Sequence, residues 1–288
     1  MKYRKGVSLR ELYLFGKDRM RQYGIENPEL EVSLLLSKTL SINIPDIYAH
    51  PEKEVESEML REFNELLERR IKREPIAYIL GEKEFYSRSF IVTPDVLIPR
   101  PETEILVEEA LGIVRSIPSP LVVDIGTGSG CIAVTIGCEC ENTRIFATDI
   151  SIEALIVARE NAKRYRVDER ISFIRADFLS CFKEESFDVV LSNPPYIAES
   201  NFPDLQPDVR DFEPKSALLG GEDGLDCTRK IIFQTKEVLK NGGWCIIEIG
   251  IGQSEKVAET FEDAGFQDIS IVKDLAGIER VVKGRWIR

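Results

Sequence analysis

The sequence predicts an α/β protein, a mostly parallel seven-stranded sheet preceded by a small helical domain. Three observations predict it. From residue 120 onward, short β-rich apolar runs alternate with helical stretches, the pattern of a parallel sheet covered on both faces. Before residue 80 only helical periodicity is present. Between the two, an aromatic and β-branched stretch punctuated by Gly81, Pro94 and Pro99 breaks that periodicity.

Taken in order, a helix begins at Ser8, with Leu9, Leu12, Leu14 and Phe15 on its apolar side. Pro28-Glu29 opens a second, carrying Leu30, Val32, Leu34, Leu35 and Leu36. Ser57 is placed to cap a third, where Leu60, Phe63, Leu66, Leu67 and Ile71 recur at helical spacing. Residues 1–80 hold no Gly-rich loop and no cluster of catalytic residue types, so they read as a structural cap or a partner-recognition module. Residues 81–100 read as a β-hairpin linker built on Phe85 to Val92. Residues 101–288 form the α/β domain, opening with a helix from Glu102 to Val114 after a Pro-Glu start. Its strands are predicted at 121–125, 144–148, 171–175, 187–192, 244–249, 269–273 and 279–283. Helices are predicted at 130–138, 151–164, 224–240 and 253–264. Asp274 to Ile278 is too short for a crossover helix, so the last strand runs antiparallel to the one before it.

Composition removes several functions. With one histidine, His50 in a polar loop, triad chemistry and a zinc site have little to build from. The six cysteines lack paired spacing, as expected of reduced thiols. No apolar run is long enough for a membrane span and no secretory signal follows the basic start, so a cytoplasmic protein is expected. A net charge of −12 argues against broad binding to a phosphate backbone.

Asn193-Pro194-Pro195-Tyr196 follows the predicted strand 187–192, at the carboxyl edge where open α/β sheets bind ligands. Neither proline has an N–H and each holds the preceding residue extended. The loop therefore presents acceptors, the Asn193 side-chain oxygen and backbone carbonyls, to which an NH2 group with two donors is suited. Tyr196 can lie over the flat face of such a group. A Pro-rich turn is the plainer reading of the tetrapeptide alone.

The run Gly126-Thr127-Gly128-Ser129-Gly130 is a strand end turning into a helix, with glycines that let a backbone approach a ligand closely. Its G-x-G-x-G spacing differs from the dinucleotide G-x-G-x-x-G and disfavours a nicotinamide dehydrogenase; no Lys-Ser or Lys-Thr follows, so it is no P-loop. Asp149 ends the second strand, about twenty residues on, where a carboxylate accepts ribose hydroxyls. Asp177 and Phe178 end the third, placed to bond and pack against an adenine. Each aspartate alone also reads as a helix cap or turn residue; three consecutive strand ends bearing suitable groups point to a nucleoside site.

These features resemble the class I S-adenosylmethionine-dependent methyltransferases that act on planar amino or amide nitrogens. A closer resemblance is to the HemK/PrmC family. It rests on the stretch Pro75 to Phe85, on Val96-Leu97-Ile98-Pro99-Arg100-Pro101-Glu102-Thr103-Glu104 and on Phe212-Glu213-Pro214 to Leu218. Gly221 to Leu225, Glu248-Ile249-Gly250 and Asp274 to Arg280 complete it. Residues before 70 match only in general character. The resemblance implies a Rossmann-like sheet of order 3-2-1-4-5-7-6 and a helical N-terminal domain that helps bind the substrate. The implied reaction moves a methyl group to the glutamine N5 of the Gly-Gly-Gln motif in class I peptide-chain release factors, leaving S-adenosyl-L-homocysteine. It makes Gly126 to Gly130, Asp149, Asp177, Phe178 and Asn193 the cofactor contacts. Asn193, Pro194, Pro195 and Tyr196 become the substrate contacts, the Asn193 oxygen and Pro194 carbonyl taking the amide hydrogens.

Arg100 and Glu102 would close over the cofactor's methionine end or form salt bridges that hold the linker. Glu248 would orient the substrate loop or serve as a buried structural carboxylate. A monomer that binds a release factor and no nucleic acid is expected. An adenine-N6 methyltransferase on DNA or RNA is the nearest alternative, because an exocyclic amine suits the same tetrapeptide; a non-catalytic cofactor sensor is the other.

Overall fold

The computed structural model describes residues 6–288. The chain forms two compact units, one running to Gly81 and including Pro207–Phe212, the other holding residues 82–206 and 213–288.

In the first unit β1 (Val7–Ser8) leads into α1 (Leu9–Gln22), followed by α2 (Pro28–Leu40), α3 (Ile44–Ala49), β2 (Glu54–Val55), α4 (Ser57–Ile71) and α5 (Ile76–Leu80). The two short strands pair antiparallel. Ser8 caps α1: its hydroxyl accepts the Glu11 amide while the Glu11 carboxylate takes the Ser8 amide, so two otherwise orphaned donors are satisfied. Ser57 is the first helical residue of α4 rather than its cap; Glu56 holds the cap position without a side-chain bond. A Cβ on Gly16 would lie 2.6 Å from Val32 and 2.8 Å from Phe63, so α1 is in close contact with α2 and α4. Pro207–Phe212 joins this unit through Asp208, whose carboxylate accepts from Arg70 at 2.7 Å. Arg70 is buried and also pairs with Glu31.

The second unit opens with the antiparallel hairpin β3 (Glu82–Phe85) and β4 (Arg88–Ile91), turned by Tyr86 and Ser87, both at positive φ. That pair of left-handed residues matches a hairpin's right-handed twist. Then come α6 (Thr103–Val114), β5 (Leu121–Ile125), α7 (Cys131–Glu139), β6 (Arg144–Asp149), α8 (Ile152–Arg164), β7 (Ile171–Arg175) and β8 (Phe187–Ser192). The helix Asp226–Val238, β9 (Leu239–Glu248), the helix Ser254–Ala264, β10 (Gln267–Lys273) and β11 (Glu279–Arg285) complete it.

The sheet order is β7-β6-β5-β8-β9-β11-β10, which in the sheet's own numbering is 3-2-1-4-5-7-6, as the resemblance implies. β11 runs antiparallel to both its neighbours. Alternate residues of each strand feed opposite faces. Val122, Val189 and Ile246 pack under α6 and α7, whereas Val123, Val190 and Ile247 pack under the helices 226–238 and 254–264. β9 starts earlier than predicted, because Lys240 to Gly243 is taken up as an irregularity in its pairing with β8 rather than as a separate turn. No helix among the described residues is long and apolar enough to cross a membrane.

Candidate active site

The carboxyl ends of β5, β6 and β8 and the segment after β7 surround a cavity of about 290 Å³. The glycine turn forms one wall. Gly126, Gly128 and Gly130 have φ of +68°, +54° and +79°, so each sits where a side chain strains the backbone. A Cβ on Gly126 would meet nothing within 4 Å and one on Gly128 only the Gly126 carbonyl, so both open onto the cavity they line. Gly130 instead turns its back to α8, where a Cβ would lie 3.0 Å from that of Ala158.

Thr127 and Ser129 are buried behind this wall. The Thr127 hydroxyl donates to Asp124 at 2.7 Å. Burial pushes the Asp124 carboxyl up to about 7 against the lowering effect of that bond. The Ser129 carbonyl accepts from Asn161 of α8 at 2.8 Å, and the same side chain bonds both the Ile91 amide and the Ile91 carbonyl. One buried asparagine thus joins the hairpin to the glycine turn.

At the end of β6, Asp149 accepts the Gly128 amide at 2.9 Å through one oxygen and the Ser151 amide at 3.0 Å through the other. Each oxygen keeps further lone-pair capacity, and Asp149 lines the cavity. Asp177 and Phe178 line the same cavity after β7, Phe178 at a φ of +52°. Val96, Leu97, Pro214 and Ala217 also wall the cavity. The buried Glu213 holds that wall together by accepting the Ile98 amide and pairing with Arg100.

Asn193 and Pro195 close the cavity at the end of β8. The Asn193 Nδ2 donates to the Thr103 hydroxyl at 3.1 Å. Thr103, the first residue of α6, also lies beside the Glu248 carboxylate at the end of β9, where its hydroxyl favours the ionised form. Glu248 is 2 % exposed, and burial pushes its carboxyl up to about 7. Tyr196 packs its ring against Gly250, where a Cβ would lie 3.1 Å from Cδ2, and its carbonyl accepts from Gln253 at 3.0 Å. Burial, reinforced by Glu248, pushes the Tyr196 hydroxyl up to about 12. Glu102 pairs with Arg280 at 3.5 Å, and Arg280 in turn with Asp274 at 2.9 Å.

The fold therefore brings Gly126, Gly128, Asp149, Asp177, Phe178, Asn193 and Pro195 onto one cavity. Thr127, Ser129 and Gly130 support it from behind, and Arg100 and Glu102 are engaged in ion pairs. His50 lies exposed in the other unit. Sequence reasoning missed Asn161, Thr103, Glu213 and Gln253 as parts of the site. Thr103 and Glu213 stand in the stretches that carry the resemblance, yet their partners lie 90 and 115 residues away in sequence.

Residues 11–81 match the family description "PrmC N-terminal domain" and residues 103–205 match "Methyltransferase small domain". The chain is 40% identical to the release factor glutamine methyltransferase of Geobacter sulfurreducens, over 96% of each. It is 37% identical to a bifunctional methyltransferase of Rickettsia felis over 96% of this chain, spanning 57% of that longer relative. The catalytic domain of hMettl16, solved in complex with the MAT2A 3′UTR hairpin 6, shares its fold. The TM-score is 0.59 at 16% identity, covering 76% of this chain and 82% of that one.

Proposed function

We infer the work of this site from one premise: the chain belongs to the release factor glutamine methyltransferase family. Its reaction is transfer of a methyl group from S-adenosylmethionine to the side-chain amide of a release factor glutamine, the Gly-Gly-Gln glutamine of class I factors. S-adenosylmethionine supplies a methyl group already activated on a sulfonium, so the chain's task is placement and polarisation.

The cavity suits that cofactor. Two glycines without Cβ atoms admit its close approach, Asp149 offers lone pairs to ribose hydroxyls, and Asp177 and Phe178 offer an acceptor and an aromatic wall to the base.

A carboxamide nitrogen is a poor nucleophile because its lone pair is delocalised into the carbonyl. We assign the Asn193 oxygen and the Pro194 carbonyl to the two amide hydrogens, which raises electron density at nitrogen and fixes its orientation. Tyr196 covers the amide plane and excludes water. The proton leaves after methylation, so no general base is assigned.

The observation that carries this reading is the Asn193–Thr103 bond. It engages Nδ2, the donor end of the Asn193 amide, and so leaves the acceptor end available at the cavity that Asn193 lines. We further propose a cytoplasmic monomer without direct nucleic-acid contact, in keeping with the net charge of −12.

The test is mass spectrometry of a class I release factor after incubation with S-adenosylmethionine and the protein. One added methyl on the Gly-Gly-Gln glutamine, absent when that glutamine is alanine, is expected. Transfer to nucleic acid and none to the factor would replace this reading with the adenine one.

A further inference from the structure

The role given to Asn193 demands one of its two amide orientations. An asparagine side chain is nearly symmetric in shape, and only its hydrogen-bond partners decide whether Oδ1 or Nδ2 points at the ligand. We propose that Thr103 and Glu248 form a polarity-setting pair that holds the Asn193 amide with its acceptor toward the substrate, so both are positioning residues for methyl transfer. This rests on the substrate role of Asn193 proposed above.

The geometry is compact. Asn193 follows the end of β8 and Glu248 ends the neighbouring β9, so the two stand side by side at the carboxyl edge of the sheet. Thr103, 2 % exposed at the first turn of α6, accepts from Asn193 and stands beside Glu248. The Thr103 hydroxyl has one proton and two lone pairs, and by itself would bond either end of an amide. An ionised Glu248 removes that freedom. A carboxylate only accepts, so it takes the hydroxyl proton and leaves Thr103 with lone pairs alone. Nδ2 of Asn193 then faces Thr103 and Oδ1 faces the cavity.

A protonated Glu248 reverses the logic. It donates to Thr103, freeing the hydroxyl proton for Oδ1 and allowing the amide to turn its donor end toward a substrate that itself brings only donors. The Oε2 of Glu248 is buried without a hydrogen-bond partner, so no bond locks that oxygen in either state. The charged, titratable and hydroxyl groups facing Glu248 are Glu102 and Thr103 at the start of α6, Arg100 before it, Arg280 of β11 and Tyr196 after β8. Arginine favours the ionised form and Glu102 opposes it, while burial raises the carboxyl toward neutrality.

The experiment uses the full chain, S-adenosylmethionine and a class I release factor, comparing wild type with Thr103→Val, Thr103→Ser, Glu248→Gln and Asn193→Ala. Valine keeps the shape of threonine without the hydroxyl, and kcat should fall about tenfold or more, the scale of one lost buried hydrogen bond. KM for the factor and the Kd for S-adenosylhomocysteine should each stay within about threefold, well short of that loss. Serine should restore most of kcat. Glutamine at 248 can donate or accept, so kcat should fall and lose its rise with pH around neutrality.

Full kcat in Thr103→Val, or equal loss in the valine and serine variants, would overturn the proposal. So would a pH limb that survives in Glu248→Gln. Full activity in Asn193→Ala would instead overturn the reading on which it rests, and the two failures are distinct.

Discussion

The Asp149 carboxylate accepts the Gly128 amide at 2.9 Å, so the end of β6 and the glycine turn after β5 are joined by the same group assigned to the cofactor's ribose. A conservative change there disturbs both jobs. In Asp149→Asn one oxygen still accepts a backbone amide, but the new NH2 faces the other amide donor. We expect the Kd for S-adenosylhomocysteine to rise about tenfold or more, with kcat at saturating cofactor close to wild type. Isothermal titration calorimetry measures the first; unchanged affinity would remove Asp149 from the cofactor site.

Asp149 is legible in the sequence alone, and the reason is physical. Strand ends and the glycine turn are local patterns, a short apolar run followed by a residue whose chemistry is out of place in a core. The parallel sheet then brings consecutive strand ends to one edge. Asn161 carries no such signal: it sits in the last turn of α8, and only the packed hairpin and glycine turn together give its side chain three backbone partners. Thr103 looks like an ordinary first-turn residue until β8 and β9 lay Asn193 and Glu248 against it. The early start of β9 is hidden because Asn241-Gly242-Gly243 has the composition of a turn, while the Gly242 amide in fact bonds the Trp286 carbonyl at 2.7 Å.

Gly128 and Gly130 separate ligand approach from packing. At Gly128 the φ is +54° and the space above is open, so Gly128→Ala should cost only about 1–2 kcal/mol of stability. Its methyl group enters the cavity, and cofactor affinity should fall further than that. At Gly130 a Cβ would press on the Cβ and Cα of Ala158 at 3.0 and 3.1 Å. Strain and overpacking add there, and Gly130→Ala should lose roughly 2–4 kcal/mol. Urea unfolding alongside calorimetric titration resolves the two; equal unfolding midpoints would contradict the packing argument.

Asn161→Leu fills nearly the same volume and removes three hydrogen bonds at once. The Ile91 amide and carbonyl and the Ser129 carbonyl would be left without that partner. A loss of roughly 3 kcal/mol is expected, with weaker cofactor binding because the glycine turn loses its tie to α8. Stability unchanged within about 0.5 kcal/mol, the scatter of ordinary surface substitutions, would show that water replaces the side chain without penalty.

Glu248 gives the sharpest pH dependence. Its carboxyl rises from an ordinary 4.5 to about 7, chiefly through burial, so the folded state holds a proton that the unfolded state has lost. Between those values the folded protein binds more protons, and stability falls as pH increases. The contribution is fully present below about 4.5 and gone above about 7. Glutamine resembles the protonated acid at every pH. Glu248→Gln should therefore match wild type near pH 4.5 and gain on it by up to roughly 3 kcal/mol above pH 7. Asp124, raised in the same direction by burial, is present in both proteins and cancels in the difference. Urea midpoints measured across this range test the sign. A difference that stays constant with pH would mean that Glu248 is already ionised in the folded protein at pH 5, its desolvation offset by Arg100 and Arg280.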